Sequence, residues 1–99
     1  MSPYRDPSNP IVQQVLVGLQ RVLAQHAEIK ADAAPLLPEA RVHLLYEHGH
    51  IDSLATIEIV LELEEMFEID ISDEEMGAFE RPEKTVLDLA MAIAAKRVA

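Results

Sequence analysis

Apolar residues recur every three or four positions in separate segments of the chain, and this spacing constrains the fold more than any other feature. In the first segment the apolar positions are Val12, Val15, Leu16, Leu19, Val22 and Leu23. This is the period of an amphipathic helix, which the sequence predicts over 10–26. Asn9 and Pro10 indicate where it begins, because Asn caps a helix well and proline is tolerated in the first turn.

The second periodic segment, predicted over 53–67, contains neither Gly nor Pro and is apolar on two sides. Asp52 precedes it as a candidate cap. One apolar stripe contains Ile59, Leu63 and Phe67 with Val60 and Met66 beside it, and the other contains Leu54, Ile57 and Leu61. A helix with two apolar stripes is either deeply buried or meets a partner outside the domain.

Two capping patterns predict the remaining helices. A capping box beginning at Ser72 predicts a short helix that reaches about Phe79. Thr85, three residues before Asp88, predicts a last helix that reaches about Arg97, where basic residues suit the negative end of the helix dipole.

The connection over 27–52 has no sustained period, and Pro35 and Pro38 rule out one continuous helix there. We expect its apolar run, from Val42 to Tyr46, to dock on the core as one helical turn. Since no segment alternates as a strand does, the predicted fold class is all-α. It is a small helical bundle of three long helices and one short helix, with a long loop between the first two long helices. The 99 residues divide into a flexible tail over 1–9 and one domain over 10–99.

Charge is distributed unevenly along the chain. Twelve acids and no Lys or Arg lie between Val42 and Glu80, in a chain of formal net charge −10. The like-charge pairs within the second long helix together cost on the order of 1–2 kcal/mol. This cost favours a docking surface for basic partners over a plain solvated face, with Leu54, Ile57 and Leu61 at its centre. The same charge disfavours nucleic acid and anionic membranes as partners.

Other absences narrow the possible classes further. The chain has no cysteine, which excludes a disulfide framework and a Cys-ligated metal. Its longest apolar run, 89–95, is too short to span a bilayer, and the first ten residues lack the apolar core of a secretory signal. We therefore expect a cytoplasmic protein without membrane contact, monomeric in dilute solution.

Ser53 places a hydroxyl in the first turn of the acidic helix, directly after Asp52. Unpaired N–H groups and the positive end of the helix dipole stabilise an anion at such a position. A phosphodiester on Ser53 suits this environment, and Asp52 could help hold a divalent cation during phosphoryl transfer. An Asp-Ser pair at a helix start also serves simply as a cap.

The run from Gly49 to Glu75, GHIDSLATIEIVLELEEMFEIDISDEE, resembles the acyl carrier protein family, whose members bear 4′-phosphopantetheine on the serine of an Asp-Ser-Leu motif. The matches are Asp52-Ser53-Leu54, Ile57-Glu58-Ile59-Val60, Leu63-Glu64-Glu65, Phe67, Ile69, Ile71, Asp73-Glu74-Glu75 and Lys84-Thr85-Val86. The resemblance implies that Ser53 is the attachment site and that a phosphopantetheinyl transferase supplies the covalent group from coenzyme A. It implies no catalytic residue in this chain.

The resemblance also implies a function and partners. Gly49 lies one residue further from Asp52 than in fatty-acid-type carriers, a spacing more like that of D-alanyl and other aminoacyl carrier proteins. The expected function is a stand-alone carrier that holds an aminoacyl or acyl group as a thioester and delivers it between enzymes. Those enzymes would be an adenylating ligase or an acyl synthase or transferase, and basic residues on them would meet the acids Asp52, Glu58, Glu62, Glu64 and Glu65. An unmodified acidic adaptor with the same fold is the alternative.

Two other interpretations lack support. A serine hydrolase needs a Gly-x-Ser-x-Gly elbow, which does not surround Ser53. The histidines at 43, 48 and 50, with Glu47, do not have the spacing that puts metal ligands on one helix face, so no metal site is predicted.

Overall fold

A computed structural model describes residues 3–97, and within that range the chain is helical with no β-strand. The five helices are α1 (Pro10–Ala27), α2 (His43–Glu47), α3 (Ser53–Phe67), α4 (Asp73–Met76) and α5 (Val86–Arg97). Short 3-10 turns are formed by Pro3–Arg5, Ala34–Leu36 and Gly77–Glu80. The predicted all-α class is confirmed, with α1, α3 and α5 as the three long helices and a long connection between α1 and α3.

Helix α1 follows its sequence signals closely. The side-chain oxygen of Asn9 accepts the backbone N–H of Ile11 at 2.8 Å. All six apolar positions that predicted the helix are buried. The helix ends one residue later than predicted, where Glu28 adopts a left-handed conformation (φ 58°) and its N–H bonds to the carbonyl of Ala24.

The connection between α1 and α3 is held on the core by a few side chains. Leu36, Val42 and Leu45 are fully buried. The side-chain amide of Gln20 on α1 donates to the carbonyl oxygen of Leu36 at 2.8 Å. Helix α2 is the single helical turn that the apolar run predicted, and it carries Leu45 into the core.

Helices α1 and α3 approach each other closely at Gly18. A Cβ atom at that position would come within 2.7 Å of Cζ of Phe67. Buried Ile59, Val60 and Leu63 continue the contact of α3 with the core. The stripe that contains Ile59, Leu63 and Phe67 is therefore the one that packs on the core, although Met66 beside it is 47% exposed. Gly18 permits the closest point of this contact.

The short helix is shorter than predicted. The capping box is present, since Ser72 Oγ accepts the Glu75 N–H and Glu75 Oε1 accepts the Ser72 N–H, both at 3.1 Å. The α-helix nevertheless ends at Met76, and the chain continues to Glu80 as a 3-10 turn that buries Phe79. Gly77 is a weak helix former, which favours the change to the tighter turn.

The first turn of α5 has every backbone N–H bonded. Thr85 Oγ1 accepts the N–H of Asp88, and Asp88 Oδ2 accepts the N–H of Thr85, both at 3.0 Å. The N–H groups of the next two residues after Thr85 donate to the carbonyl oxygens of Ala40 and Pro38, at 2.9 Å each. The connection before α2 is thus attached to the start of α5.

Residues ahead of α1 also contact the bundle. Tyr4, in the turn Pro3–Arg5, is half-buried and packs against the core. Met1 and Ser2, at the beginning of the predicted tail, and Val98 and Ala99, at the end of the predicted domain, lie outside the described residues. The flexibility of 1–9 and the domain boundary at residue 10 stay predictions.

Candidate functional site

Asp52 caps α3, as its place before the helix predicted. Its backbone is extended, and its Oδ1 accepts the N–H of Ala55 at 2.8 Å. Its carbonyl oxygen accepts the N–H of Thr56 at 3.0 Å. Because Asp52 serves as the cap, Ser53 is the first residue of the helix proper and its hydroxyl is left out of the cap.

Two backbone amides at this helix start remain without a hydrogen-bond acceptor. Among the described residues, nothing accepts the N–H of Ser53 or that of Leu54. Asp52, Ser53 and Leu54 are all exposed. Free N–H groups at the positive end of a helix attract anions, so this end of α3 is suited to a negatively charged group.

The hydroxyl of Ser53 opens on a cleft between α3 and the segment that follows α4. The cleft has a volume of about 250 Å³ and is lined by Ser53, Thr56, Ile57, Asp73, Met76, Gly77 and Glu80. Across it, Ser53 Oγ donates a hydrogen bond of 3.3 Å to Oε1 of Glu80. Sequence reasoning did not single out Glu80, and no local pattern marks it, since it lies 27 residues from Ser53.

Helix α2 braces the start of α3 through a chain of hydrogen bonds. The hydroxyl groups of Tyr46 and Thr56 are hydrogen-bonded to each other, and Thr56 Oγ1 donates to the carbonyl oxygen of Asp52 at 2.9 Å. Burial raises the pKa of the Tyr46 phenol against the lowering effect of the Thr56 hydrogen bond, and the charges of Glu80 and Asp52 raise it further. The phenol therefore stays neutral and the brace stays intact at neutral pH.

The second apolar stripe of α3 faces solvent. Leu54 is 65% exposed, Ile57 47% and Leu61 60%. Glu58 and Glu65 lie beside them, both exposed, and neither carboxylate has an ion pair or hydrogen bond within the described part of the chain. We call these five residues the outward face of α3. Of the two possibilities that the sequence left open for this stripe, deep burial is excluded.

The other two predicted partner-binding acids are used inside the molecule. Glu62 Oε2 lies 2.9 Å from Nε2 of His26 on α1. Glu64 Oε2 accepts the backbone N–H of Ile71 at 2.8 Å, which ties the loop after α3 back to the helix. Both side chains are half-buried. The structure thus divides the four acids within α3 that the sequence analysis treated alike, and the fifth, Asp52, caps the helix.

The histidines near the site are dispersed. His43 Nε2 lies 3.2 Å from Oε1 of Glu47, and its Nδ1 lies 3.1 Å from the carbonyl oxygen of Glu80. The rings of His48 and His50 meet edge-on, 6.3 Å apart. Residues 3–97 contain no group of three side chains arranged to hold a metal ion. Over the same residues, every helix falls short of the length or the apolarity that a bilayer crossing demands.

Comparison with known families identifies the class. A family profile described as phosphopantetheine attachment site matches residues 19–93, more than half of the chain. The chain belongs to this family of phosphopantetheine-binding carrier proteins, and its prosthetic group is 4′-phosphopantetheine. No curated protein and no solved structure matches it. The resemblance to acyl carrier proteins is confirmed at the level of the family, and the aminoacyl spacing stays a prediction.

The residues at the start of α3 fit this group. Its covalent attachment needs an accessible hydroxyl and an environment that tolerates a phosphodiester. Ser53 supplies the exposed hydroxyl, and the unbonded N–H groups of Ser53 and Leu54 supply the positive polarity. Ile57 and Met76 add apolar surface to the lining of the adjoining cleft.

Proposed function

We propose that Ser53 is the residue to which 4′-phosphopantetheine is attached. The matched region 19–93 contains two serines, Ser53 and Ser72. Ser72 Oγ is engaged in the capping box of α4, where it accepts the N–H of Glu75. The observation that carries the proposal is that the hydroxyl of Ser53 is exposed and stands outside the cap that Asp52 provides.

The chain's own residues hold the attached phosphodiester and perform no chemistry on the cargo. The free N–H groups of Ser53 and Leu54 favour the negative charge, and Asp52 keeps the first turn of α3 formed beneath it. When bound, the prosthetic group supplies a terminal thiol that holds the cargo as a thioester. The protein is therefore a carrier rather than an enzyme, and its partners supply the catalytic groups.

The outward face of α3 is the proposed docking surface. Three exposed apolar side chains, Leu54, Ile57 and Leu61, start next to the attachment residue and run along the helix. The exposed carboxylates of Glu58 and Glu65 suit basic residues on a transferase, an adenylating ligase or an acyl synthase. Glu62 and Glu64 border this face with carboxylates already engaged by His26 and Ile71, so we assign them a smaller share of docking.

We propose that the thioester holds a small cargo, an aminoacyl group rather than a long acyl chain. The position of Gly49 before the Asp-Ser pair supports it, since that spacing resembles aminoacyl carriers. An apolar cavity between α4 and α5 has a volume of about 110 Å³ and is lined by Ile71, Glu75, Ala78, Phe79, Leu89, Ala92, Ile93 and Lys96. Small-molecule sites usually offer about 300–1,000 Å³, so this cavity gives little room for a long chain.

Intact mass spectrometry tests the attachment. The purified chain is incubated with coenzyme A and a phosphopantetheinyl transferase of broad specificity. We expect the mass to rise by one phosphopantetheine, the gain to vanish in Ser53→Ala, and the gain to persist in Ser72→Ala, which serves as the matched serine control. A gain that survives Ser53→Ala contradicts the site, and no gain with any transferase favours the unmodified adaptor.

Association kinetics test the docking surface. Glu58→Lys and Glu65→Lys together should lower the on-rate of the transferase by about tenfold at low salt, and the difference should shrink as salt screens the charges. Asp32→Lys and Glu39→Lys together change the charge equally at exposed positions on the connection between α1 and α2, and should have little effect. An on-rate that changes neither with salt nor in the α3 variants rules out electrostatic docking at the outward face of α3.

A further inference from the structure

The contact between Ser53 and Glu80 has no part in capping α3 or in forming the 3-10 turn Gly77–Glu80. Ser53 Oγ donates to Oε1 of Glu80 at 3.3 Å, and both side chains are exposed. Glu80 is the last residue of that turn, so the bond joins two elements that the sequence separates widely. Asp73, at the start of α4, lines the same cleft and adds a second carboxylate to it.

Loading changes what Ser53 offers to Glu80, if Ser53 is the attachment residue as proposed above. In that step the Ser53 O–H bond breaks, a bond forms between Oγ and the β-phosphorus of coenzyme A, and the pyrophosphate P–O bond breaks. Adenosine 3′,5′-bisphosphate leaves, and the proton passes to solvent. The serine oxygen then has no hydrogen to donate, and it bears a phosphodiester with one negative charge.

We propose that Glu80 is a positioning residue that holds the turn Gly77–Glu80 against the free hydroxyl of Ser53 and releases it once the serine is loaded. Two unit charges about 4 Å apart repel enough, even at the dielectric constant of water, to shift an equilibrium by about fivefold. The carboxylates of Glu80 and Asp73, which line the cleft beside Ser53, would repel the phosphodiester. The free N–H groups of Ser53 and Leu54 would attract it, so the contact of Ser53 with Glu80 would no longer be favoured.

The consequence is a surface that differs between the unloaded and the loaded protein. Ile57 belongs both to the cleft and to the outward face of α3, so the turn Gly77–Glu80 borders the proposed docking surface. A transferase meets this border while Glu80 is hydrogen-bonded to Ser53. Enzymes that act after loading meet the same border once Glu80 no longer holds the turn Gly77–Glu80 against Ser53.

Amide hydrogen exchange, followed residue by residue in isotopically labelled protein, tests whether loading releases the turn Gly77–Glu80 from Ser53. Two N–H groups report on the turn: that of Arg81, which donates to Ala78 at 3.2 Å, and that of Gly77, which donates to Asp73 and Glu75. Loading, verified by mass, should speed their exchange by about fivefold at low salt. Ser53→Ala removes the donor without adding charge and should speed it by about threefold, the size of a weak exposed hydrogen bond. The N–H of Val86 on α5 is the internal reference.

Two variants that remove the same charge distinguish a specific role of Glu80 from a general effect of acidic side chains. In Glu80→Gln the side-chain oxygen still accepts the hydroxyl and the amide can donate to the phosphodiester, so the effect of loading on exchange should disappear. Glu74→Gln removes the same charge from an exposed position on α4 and should leave that effect intact. Equal exchange in mass-verified loaded and unloaded protein overturns the inference while the attachment site stands. If no loading occurs, the proposed function fails, and Ser53→Ala still decides the contact, because unchanged exchange in that variant overturns it.

Discussion

The starts of α3 and α5 have similar capping sequences but differ in hydrogen bonding, because the hydroxyl is part of the cap at α5 and is not at α3. At α5 the hydroxyl of Thr85 is itself the cap, bonded to the N–H of Asp88, and the other N–H groups of the first turn bond to carbonyl groups of the connection. At α3 the cap is Asp52, one position earlier, and the hydroxyl of Ser53 is left over. A hydroxyl stays available for modification when its neighbour does the capping.

Tertiary neighbours widen this difference. Thr85 is half-buried, with the backbone of Arg41 paired against it, whereas Ser53 is exposed and faces an open cleft. The start of α5 is hydrogen-bonded to the connection between α1 and α2, whereas the start of α3 has two N–H groups without an acceptor among the described residues. The first arrangement contributes stability, and the second leaves room for a ligand.

The largest expected difference between the two helix starts is in amide protection. The N–H groups of Val86 and Leu87 are hydrogen-bonded, whereas those of Ser53 and Leu54 are not. Native-state hydrogen exchange, corrected for intrinsic rates, should give the first pair protection at least about a hundredfold higher. Similar protection in both pairs would mean that the two starts are equivalent, contrary to the geometry.

The next largest effect is expected for Thr85→Ala, which should lower the free energy of unfolding. The change removes the acceptor of a half-buried N–H, and we expect the free energy of unfolding to fall by about 1–2 kcal/mol in urea denaturation. Thr85→Ser keeps the hydroxyl and should recover most of the loss. Ser53→Ala at the exposed start of α3 should change the same quantity by less than about 0.5 kcal/mol. A loss in Ser53→Ala as large as in Thr85→Ala would break the comparison.

Asp52→Ala should destabilise the protein by about 1 kcal/mol, because the N–H of Ala55 loses its acceptor. Asp52→Asn should remain within about 0.5 kcal/mol of the wild type, since Asn caps about as well as Asp. Thermal or urea unfolding of the three proteins side by side measures this. If Asn proves as costly as Ala, the charge of Asp52 rather than its hydrogen bond stabilises the helix start.

The smallest expected effect concerns pH and a third helix start, that of α4. Hydrogen bonds from Lys96 and then from the N–H of Ser72 lower the pKa of Glu75. A carboxyl whose pKa is lower in the folded state contributes stability above its ordinary value, near 4.3, and loses it as the pH falls through the folded pKa. Glu75→Gln should therefore lower Tm slightly at pH 7, and the gap should close toward pH 3. A gap that stays constant across this range would contradict the assignment.

Much of the fold follows from local signals. The capping residues Asn9, Asp52, Ser72 and Thr85 each begin a helix where the sequence predicts one, because a cap acts on N–H groups two or three residues away. The apolar period identifies the buried face of α1 without error. The exposed hydroxyl at the start of α3 follows from the same short-range rules.

The remainder depends on residues that are distant in sequence. The bond from Ser53 to Glu80 and the brace from Tyr46 to Thr56 join different elements, and no periodicity indicates them. The ends of α1 and α3 lack one common local signal. Glu28 and Glu68 take the left-handed conformation that glycine usually occupies after a helix, so the common marker is missing at both positions.

The division among the acids of α3 has a consequence for redesign. Anyone who wishes to retarget this helix to a different enzyme by rewriting its charges can vary Glu58 and Glu65 with little risk to the architecture. Reversing Glu64 would set loose the peptide group of Ile71, and reversing Glu62 would bring a cation against His26. Two sites are adjustable and two are structural, so a library for retargeting should vary the first pair and keep the second.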